Sequence, residues 1–562
     1  MIFKNSKVKR YLYYPLIVFL FLNLSLLVSA QNEETSNAGV VSGNISVIVQ
    51  QYNDDDQIDA TAPPQNIAIN AFSNILYRKG KFNGGLRIES YNPSLLGYPA
   101  GFNGTGIGYF FGTFSTDRLS VTAGTFYEQF GSGMILRSYE ENNLGLDNSI
   151  IGVRVKYNAG KGVYLKGVYG KQRFKFDSKI LQGPGIVRGF DAEWQVNDAF
   201  GGMANSKTRY VIGGSFVSKY QDDKNPDLYV PENVGSAAGR FSLFSSWISF
   251  STEYVYKIND PSSDNSYIYK NGQALLFNIN LFAKGFGLAL AAKSNDNMSF
   301  RSDRNESLTY LLINYNPALT KVHTYILIST LYPYGTNILG EVAFQADFDY
   351  KFAKKTALGG KYGTFIGINY AVSFAPERQF LNDLETDRKG YTTTLFNASD
   401  SLLYSDLNIE LAKKFSKKFK AKFTYFNIAF NADANLVTPA HGMIYSNAFV
   451  FEGVYKFNRK NSLRFELQGL FTKQDRGNWT AVVLEYSISP HWFFSLIDQY
   501  NIGNPDESKR VHYLYGTVGY IRKTTRISLA YGRQREGIFC VGGVCRAVPA
   551  SNGVNLTITS SF

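Results

Sequence analysis

The densest run of groups capable of chemistry lies between Thr122 and Tyr157. It carries Glu128, Arg137, Glu140, Glu141, Asn142, Asn143, Asp147 and Arg154 around a Phe130-Gly131-Ser132-Gly133 turn. Carboxylates and guanidiniums at this spacing can pair, hold a charged solute, or act as acid and base. No nucleophile with a neighbouring base accompanies them. The chain has no G-x-S-x-G elbow, phosphate loop or dinucleotide fingerprint. No catalytic residue and no cofactor is assigned.

Three smaller sets complete the inventory. His323, His441, His491 and His512 are scattered, without zinc spacing, and read as loop or surface residues. Asn53-Asp54-Asp55-Asp56 with Asp59 brings five oxygen-bearing side chains together, a set that calcium accepts. It lacks the glycine and closing Glu of an EF-hand, so it reads as a solvated loop with no metal. Cys540-Val541-Gly542-Gly543-Val544-Cys545 reads as a two-residue hairpin turn, since Gly-Gly permits positive φ at both central positions. Val541 then opposes Val544. Cys540 opposes Cys545, close enough for a disulfide. So small a loop contributes only about 2 kcal/mol from chain entropy. The bond pins a loop tip.

The elements around these groups alternate with period two. Val342, Phe344, Ala346, Phe348, Tyr350 and Phe352 share one face, and Glu341, Gln345, Asp347, Asp349 and Lys351 the other. Leu463, Phe465, Leu467 and Phe471 oppose Arg464, Glu466 and Gln468 in the same way. So many strands, each with full charges at alternate positions, exceed a soluble sandwich. A membrane barrel requires this pattern: apolar to lipid, polar to lumen, every backbone bond made between strands. Abundant aromatics (Tyr 39, Phe 44) suit strands and membrane interfaces.

Residues 1–30 read as a cleaved signal peptide. Lys4, Lys7, Lys9 and Arg10 precede an apolar run, and Val28-Ser29-Ala30 fits the cleavage rule. Residues 31–562 then form a single all-β domain, a transmembrane antiparallel up-and-down barrel. Short turns and long polar segments alternate, which puts both termini on the periplasmic side of a Gram-negative outer membrane. Residues 174–189 count among the long segments. Parity near 316–334 requires a strand at residues 324–330 (TYILIST), giving about 26 strands, with 24 as the alternative count. The net charge of +13 is spread along the chain and four of its positives sit in the leader, so no nucleic-acid face is expected.

A barrel of this size has a lumen far wider than a side chain. The lumen is therefore expected to be filled by inward-folded loops, with residues 128–149, 316–337 and 374–400 as candidates. Met134, Ile135 and Leu136 are consecutive and apolar, unlike a solvated loop, and Gly131 and Gly133 let the backbone fold back. Arg137 is expected to pair with Glu140 or Glu141. Glu128, Arg137, Glu140, Glu141, Asp147 and Arg154 are the expected lumen constriction. Arg154, Lys156, Lys420, Lys422 and Arg464 would face Glu341, Asp347, Asp349, Glu410, Glu466 and Glu485 around the inner wall. The terminal strand, with Leu556, Ile558 and Phe562 on one face, has the form presented to the barrel assembly machinery. Membrane lipid and that machinery are the expected partners.

The segments Tyr127-Glu128-Gln129-Phe130-Gly131-Ser132-Gly133-Met134-Ile135-Leu136-Arg137-Ser138-Tyr139-Glu140-Glu141, Gly170-Lys171-Gln172-Arg173 and Gly542-Gly543-Val544-Cys545-Arg546-Ala547-Val548-Pro549-Ala550 resemble a Bacteroidetes family of large outer-membrane barrels without assigned activity. The resemblance runs along nearly all the mature chain. It implies location and fold and transfers no functional residue. The reading is a channel or solute-specific porin-like protein with a loop-constricted lumen, and not an enzyme. The alternative is a non-conducting scaffold or partner subunit of an envelope assembly. A TonB-dependent receptor fits less well, because strands begin soon after the leader and leave no room for a plug domain.

Overall fold

The alternating segments become the wall. In the strand Met443–Lys456, Ile444, Ser446, Ala448 and Val450 are buried, while Tyr445, Phe449 and Phe451 are exposed. In Gly340–Phe352, Glu341 and Ala343 are buried and Phe344 and Tyr350 exposed. The outward residues form an apolar outer surface. The computed structural model describes residues 39–435, 442–541 and 544–562, so the leader and His441 lie outside it.

One sheet contains 24 strands. It closes because the last, Ser551–Ser561, pairs antiparallel with the first, Val40–Asn53, from Asn44↔Ser561 to Asn53↔Asn552. Closure leaves no unpaired edge for lipid to meet. Tight turns such as Lys161-Gly162 and Lys284-Gly285 lie at the end that carries both chain termini, and long connections lie at the other. We call these the turn side and the loop side.

Two expectations about elements are corrected. Residues 324–330 do not cross the wall. The whole segment 297–339 is one loop-side connection, and Ile326–Leu331 within it is a short helix. Leu327, Ile328 and Leu331 recur at helical spacing and are buried against Phe426, Phe430, Leu470 and Trp479 of the wall. The count is therefore 24 and not 26, and connection parity holds without the extra strand. Residues 174–189 are not a loop. The strands Val163–Asp177 and Ile180–Gln195 run on almost to the turn between them.

The inner face also departs from a uniformly polar wall. Val168, Val187, Val217, Val234 and Val255 face the lumen and are buried there. They alternate along the same strands with buried inward charges, Glu253 and Lys257 on either side of Val255 and Lys219 beyond Val217.

Candidate functional site

The plug originates in a local shortage of wall. Leu119–Phe126 and Ile150–Gly160 stop short of their neighbours. Beyond them Phe102 and Asn103 pair directly with Phe176 and Asp177, so the wall closes over the gap. The connecting residues 127–149 turn inward. Their backbone folds into two minimal hairpins, Gln129–Phe130 with Leu136–Arg137 and Glu140–Glu141 with Leu146–Asp147. Gly131 and Gly133 have φ of 53° and 99°, as the fold-back requires. A Cβ at Gly131 would lie 2.6 Å from the Glu253 carboxylate of the wall, so only glycine allows this approach.

The apolar body of the plug explains the inward valines. Phe130, Met134, Ile135 and Leu136 are fully buried and pack with Met298, Phe300 and Ile313 of segment 297–339 against those wall residues. Burying each large side chain contributes about 1.5–3 kcal/mol. The two plug segments are also stitched by backbone bonds, Arg137 N–H to Ile313 O at 2.9 Å and Tyr315 N–H to Gly133 O at 3.0 Å.

A buried ionic cluster fixes the far end of the plug. Arg87 donates to Glu89 at 2.7 Å, Glu140 at 2.6 Å and Asp147 at 2.7 Å. Arg173 donates to Glu89 at 2.7 Å and Asp147 at 2.9 Å. Two wall irregularities make this geometry. The ladder shifts register at Arg87/Ile88, and a Cβ on the facing Gly108 would overlap Glu89, while the Gly108 carbonyl accepts from Arg173 at 3.0 Å. Register with Ile180–Gln195 also shifts on both sides of Arg173, while its N–H extends the pairing on the other side, donating to Ser149 O at 2.8 Å. Such bulges re-aim a side chain. Burial disfavours the charged form of Asp147, but Arg173 and Arg87 outweigh it and hold the carboxyl below its ordinary range. At Glu140 burial wins over Arg87, helped by nearby Asp147, and the carboxyl is pushed up.

Nearer the turn side, Glu128 receives Lys156 at 2.8 Å, Lys166 at 3.2 Å and Arg154 at 3.6 Å. Burial opposes its charge, but these cations prevail and hold it below the usual carboxylate range. The Arg137 guanidinium lies over Tyr139 and Tyr315, 4.4 and 4.1 Å from the ring centroids.

Five of the six expected constriction residues lie in the plug and the sixth, Arg154, on the wall strand beside it, and they enter different partnerships. Glu128 joins Arg154, and Glu140 and Asp147 join each other through Arg87. Glu140 is taken by Arg87 and not by Arg137, because the wall presents a guanidinium where the chain-local arginine turns to the rings. Glu141 is half-buried beside them. Sequence reasoning missed Arg87, Glu89, Lys166 and Arg173. The only signal was charge at inward strand positions, which the Gly170–Arg173 segment of the resemblance also touched.

The second filler is confirmed and the third is shallow. In segment 297–339, His323 meets Asp406 of the wall at 2.6 Å, and the Leu327 N–H donates to Gln468 at 3.1 Å. His323 is therefore a buried plug-to-wall contact and not a surface residue. Residues 377–397 lie at the loop-side rim, where Phe380 is 77% exposed and Tyr391 reaches Asp296 at 2.9 Å.

The inner charges largely pair across the wall. Arg464 meets Glu485 at 3.0 Å, Glu452 at 2.9 Å and Glu466, and Lys422 meets Glu410 at 3.8 Å. The acidic loop is drawn into the seam: Asp55 pairs with Arg533 at 2.6 Å, and Asp59 with Lys509. Among the described residues no cluster of His, Cys, Asp or Glu has the makings of a metal site. The backbone of Gly537–Val541 and Val544–Val548 pairs Cys540 with Cys545 and Val541 with Val544, in the expected register. The side chains of 539–546 lie outside the described residues, and the disulfide with them.

Comparison with known proteins gives a family. The model of a family of unknown function (DUF6029) matches residues 12–562. No curated protein matches. Among solved structures, the siderophore receptor PirA from Pseudomonas aeruginosa aligns over 93% of this chain and 80% of its own, at 10% identity and a TM-score of 0.38. The P pilus usher (PapC) translocation pore aligns over 93% and 99%, at 7% identity and 0.36. A BenF-like porin from Pseudomonas fluorescens Pf-5 aligns over 78% and 98%, at 12% identity and 0.33. These likenesses are too distant to carry a role.

Proposed function

The chain belongs to that family of unknown function, and we propose that it is an outer-membrane channel for small polar solutes whose lumen is held closed by an inward-folded loop plug. One observation carries the reading. Two cavities, of about 450 and 520 Å³, flank the plug. Tyr139, Leu146 and Asn148 line the first, and Gly131 and Ser132 the second. Between these residues in the chain come only a few, with fully buried Met134, Ile135 and Leu136 as the barrier. A permanently inert barrel needs no such paired vestibules. The proposed role is passage and not catalysis. In this reading residues 1–30 direct export, the turn side faces the periplasm, and the terminal strand ending at Phe562 engages the assembly machinery. The Bacteroidetes source implied by the sequence resemblance goes with it.

The buried ion pairs that tie plug to wall favour a second reading, a non-conducting scaffold. Planar-bilayer recording separates the two. The intact barrel is expected to conduct rarely, and the barrel lacking residues 131–146 to show steps of larger conductance. Silence in both states sinks the channel and leaves the scaffold.

A further inference from the structure

The turn-side cavity has the makings of a binding site. Its wall presents Gln195, Ser242, Ser251, Asn278 and Asn280, and Gly131 and Ser132 of the plug roof it. Its volume of about 520 Å³ suits a small molecule. Hydroxyls and amides share the lining with Val211, Phe244 and Leu276. Asn280 donates to Ser249 Oγ at 3.1 Å, which leaves the serine proton and the amide oxygen for a guest.

The roof end is charged. Glu253 is only 4% exposed. Its Oε2 accepts the Ser132 N–H at 2.7 Å, while Oε1, equally buried, has no hydrogen-bond partner among the described residues. A buried acceptor left unpaired is costly, so this oxygen is set to receive a donor. Arg240, opposite Glu253 in the ladder, does not supply it. Its Nη1 is held by Asp191 at 2.7 Å and Ser215 at 2.8 Å, while Nη2, 3.5 Å from Glu193, has no hydrogen-bond partner among the described residues; the group fills space that a Cβ at Gly213 would take. Asp191, Glu193 and Glu253 therefore surround a single arginine. The adjacent Lys166 is engaged by Glu128. The cavity carries excess negative charge at its buried end and neutral hydrogen-bonding groups along its wall.

We propose that this cavity binds a small polyhydroxylated amine, its ammonium on Glu253 Oε1 and its hydroxyls along the serine–asparagine wall. The ion pair selects the amine over a neutral sugar, and an anion is repelled. The site does not depend on conduction, so its test and the bilayer recording fail independently.

The test is calorimetric titration of the full-length barrel, folded in detergent at pH 6, with glucosamine, glucose and N-acetylglucosamine. Glucosamine is expected to bind about tenfold tighter than either uncharged sugar, the preference a charge-assisted hydrogen bond gives. E253Q, which keeps an acceptor for Ser132, is expected to lose that preference while retaining compact migration on unheated gels. Equal binding of the three sugars, absence of heat with glucosamine, or an unchanged preference in E253Q overturns the proposal. If E253Q does not fold, the wild-type ranking of the three sugars decides alone.

Discussion

At the residue scale the plug rests on Asp147, which takes two guanidiniums at once. Removing one member of a buried ionic cluster strands its partners and costs about 3–5 kcal/mol. Asp147→Asn is therefore expected to lower the temperature at which the compact gel band converts to the extended one. Asp387→Asn, in the exposed pair with Lys389, is expected to leave that temperature unchanged. Acid should act through the same groups. Glu128 and Asp147, with carboxyls held below the ordinary range, contribute stability that is present above that range and lost as pH falls through their folded values. Glu140, pushed up, favours its protonated form, so its proton uptake on mild acidification does not loosen the plug. In the proposed channel reading, openings are expected to rise only below about pH 4. The step should vanish in the Glu128→Gln, Asp147→Asn double variant, and an onset near pH 6 would refute this assignment.

At the element scale, segment 297–339 shows why a strand was expected and a helix formed. Thr324, Tyr325, Ile326 and Ile328 are β-prone by residue type. They entered no ladder because the wall is complete without them, and a six-residue helix buries Leu327 and Ile328 on the apolar inner wall. Leu327→Ala is expected to cost about 2–5 kcal/mol locally. Proteolysis within 297–339 should quicken while the barrel itself keeps its compact migration. Loss of the compact band instead would show that plug and wall unfold as one unit. The inner apolar seat was legible in part: in Phe419–Asn431, Phe426, Ile428 and Phe430 break the polar-to-lumen rule on the loop-side half. Which loop would occupy that seat was not legible, because the pattern says that a face is apolar and not what covers it.

At the scale of the whole molecule, closure is made at the seam. Phe562 exchanges two backbone hydrogen bonds with Gly43, at 2.9 and 3.0 Å, and a Cβ on Gly43 would collide with its ring. Deleting Phe562 removes both bonds, worth about 1 kcal/mol each, and the ring contact. The yield of compact barrel on refolding into detergent should fall, and an unchanged yield would show that strands Val40–Asn53 and Ser551–Ser561 close without the terminal residue. The same scale explains the plug. A 24-stranded ring encloses more space than its own side chains fill, so loops must enter it or water must remain. In this barrel loops enter and form a packed layer toward the loop side, and a cavity is left toward the turn side.

Alternation at period two determined the barrel from sequence alone, because a strand's two faces differ by construction and only a closed sheet satisfies every backbone group in lipid. Glycine content and the apolar run at Met134–Leu136 also determined that residues 128–149 fold back. The tertiary structure decided the partners. Glu140 found Arg87 and not Arg137, Arg173 reached Asp147 through bulges with no sequence signature, and Glu253 came to face Ser132 across the lumen. Charges far apart in the chain meet according to strand register and loop depth, which local pattern does not encode.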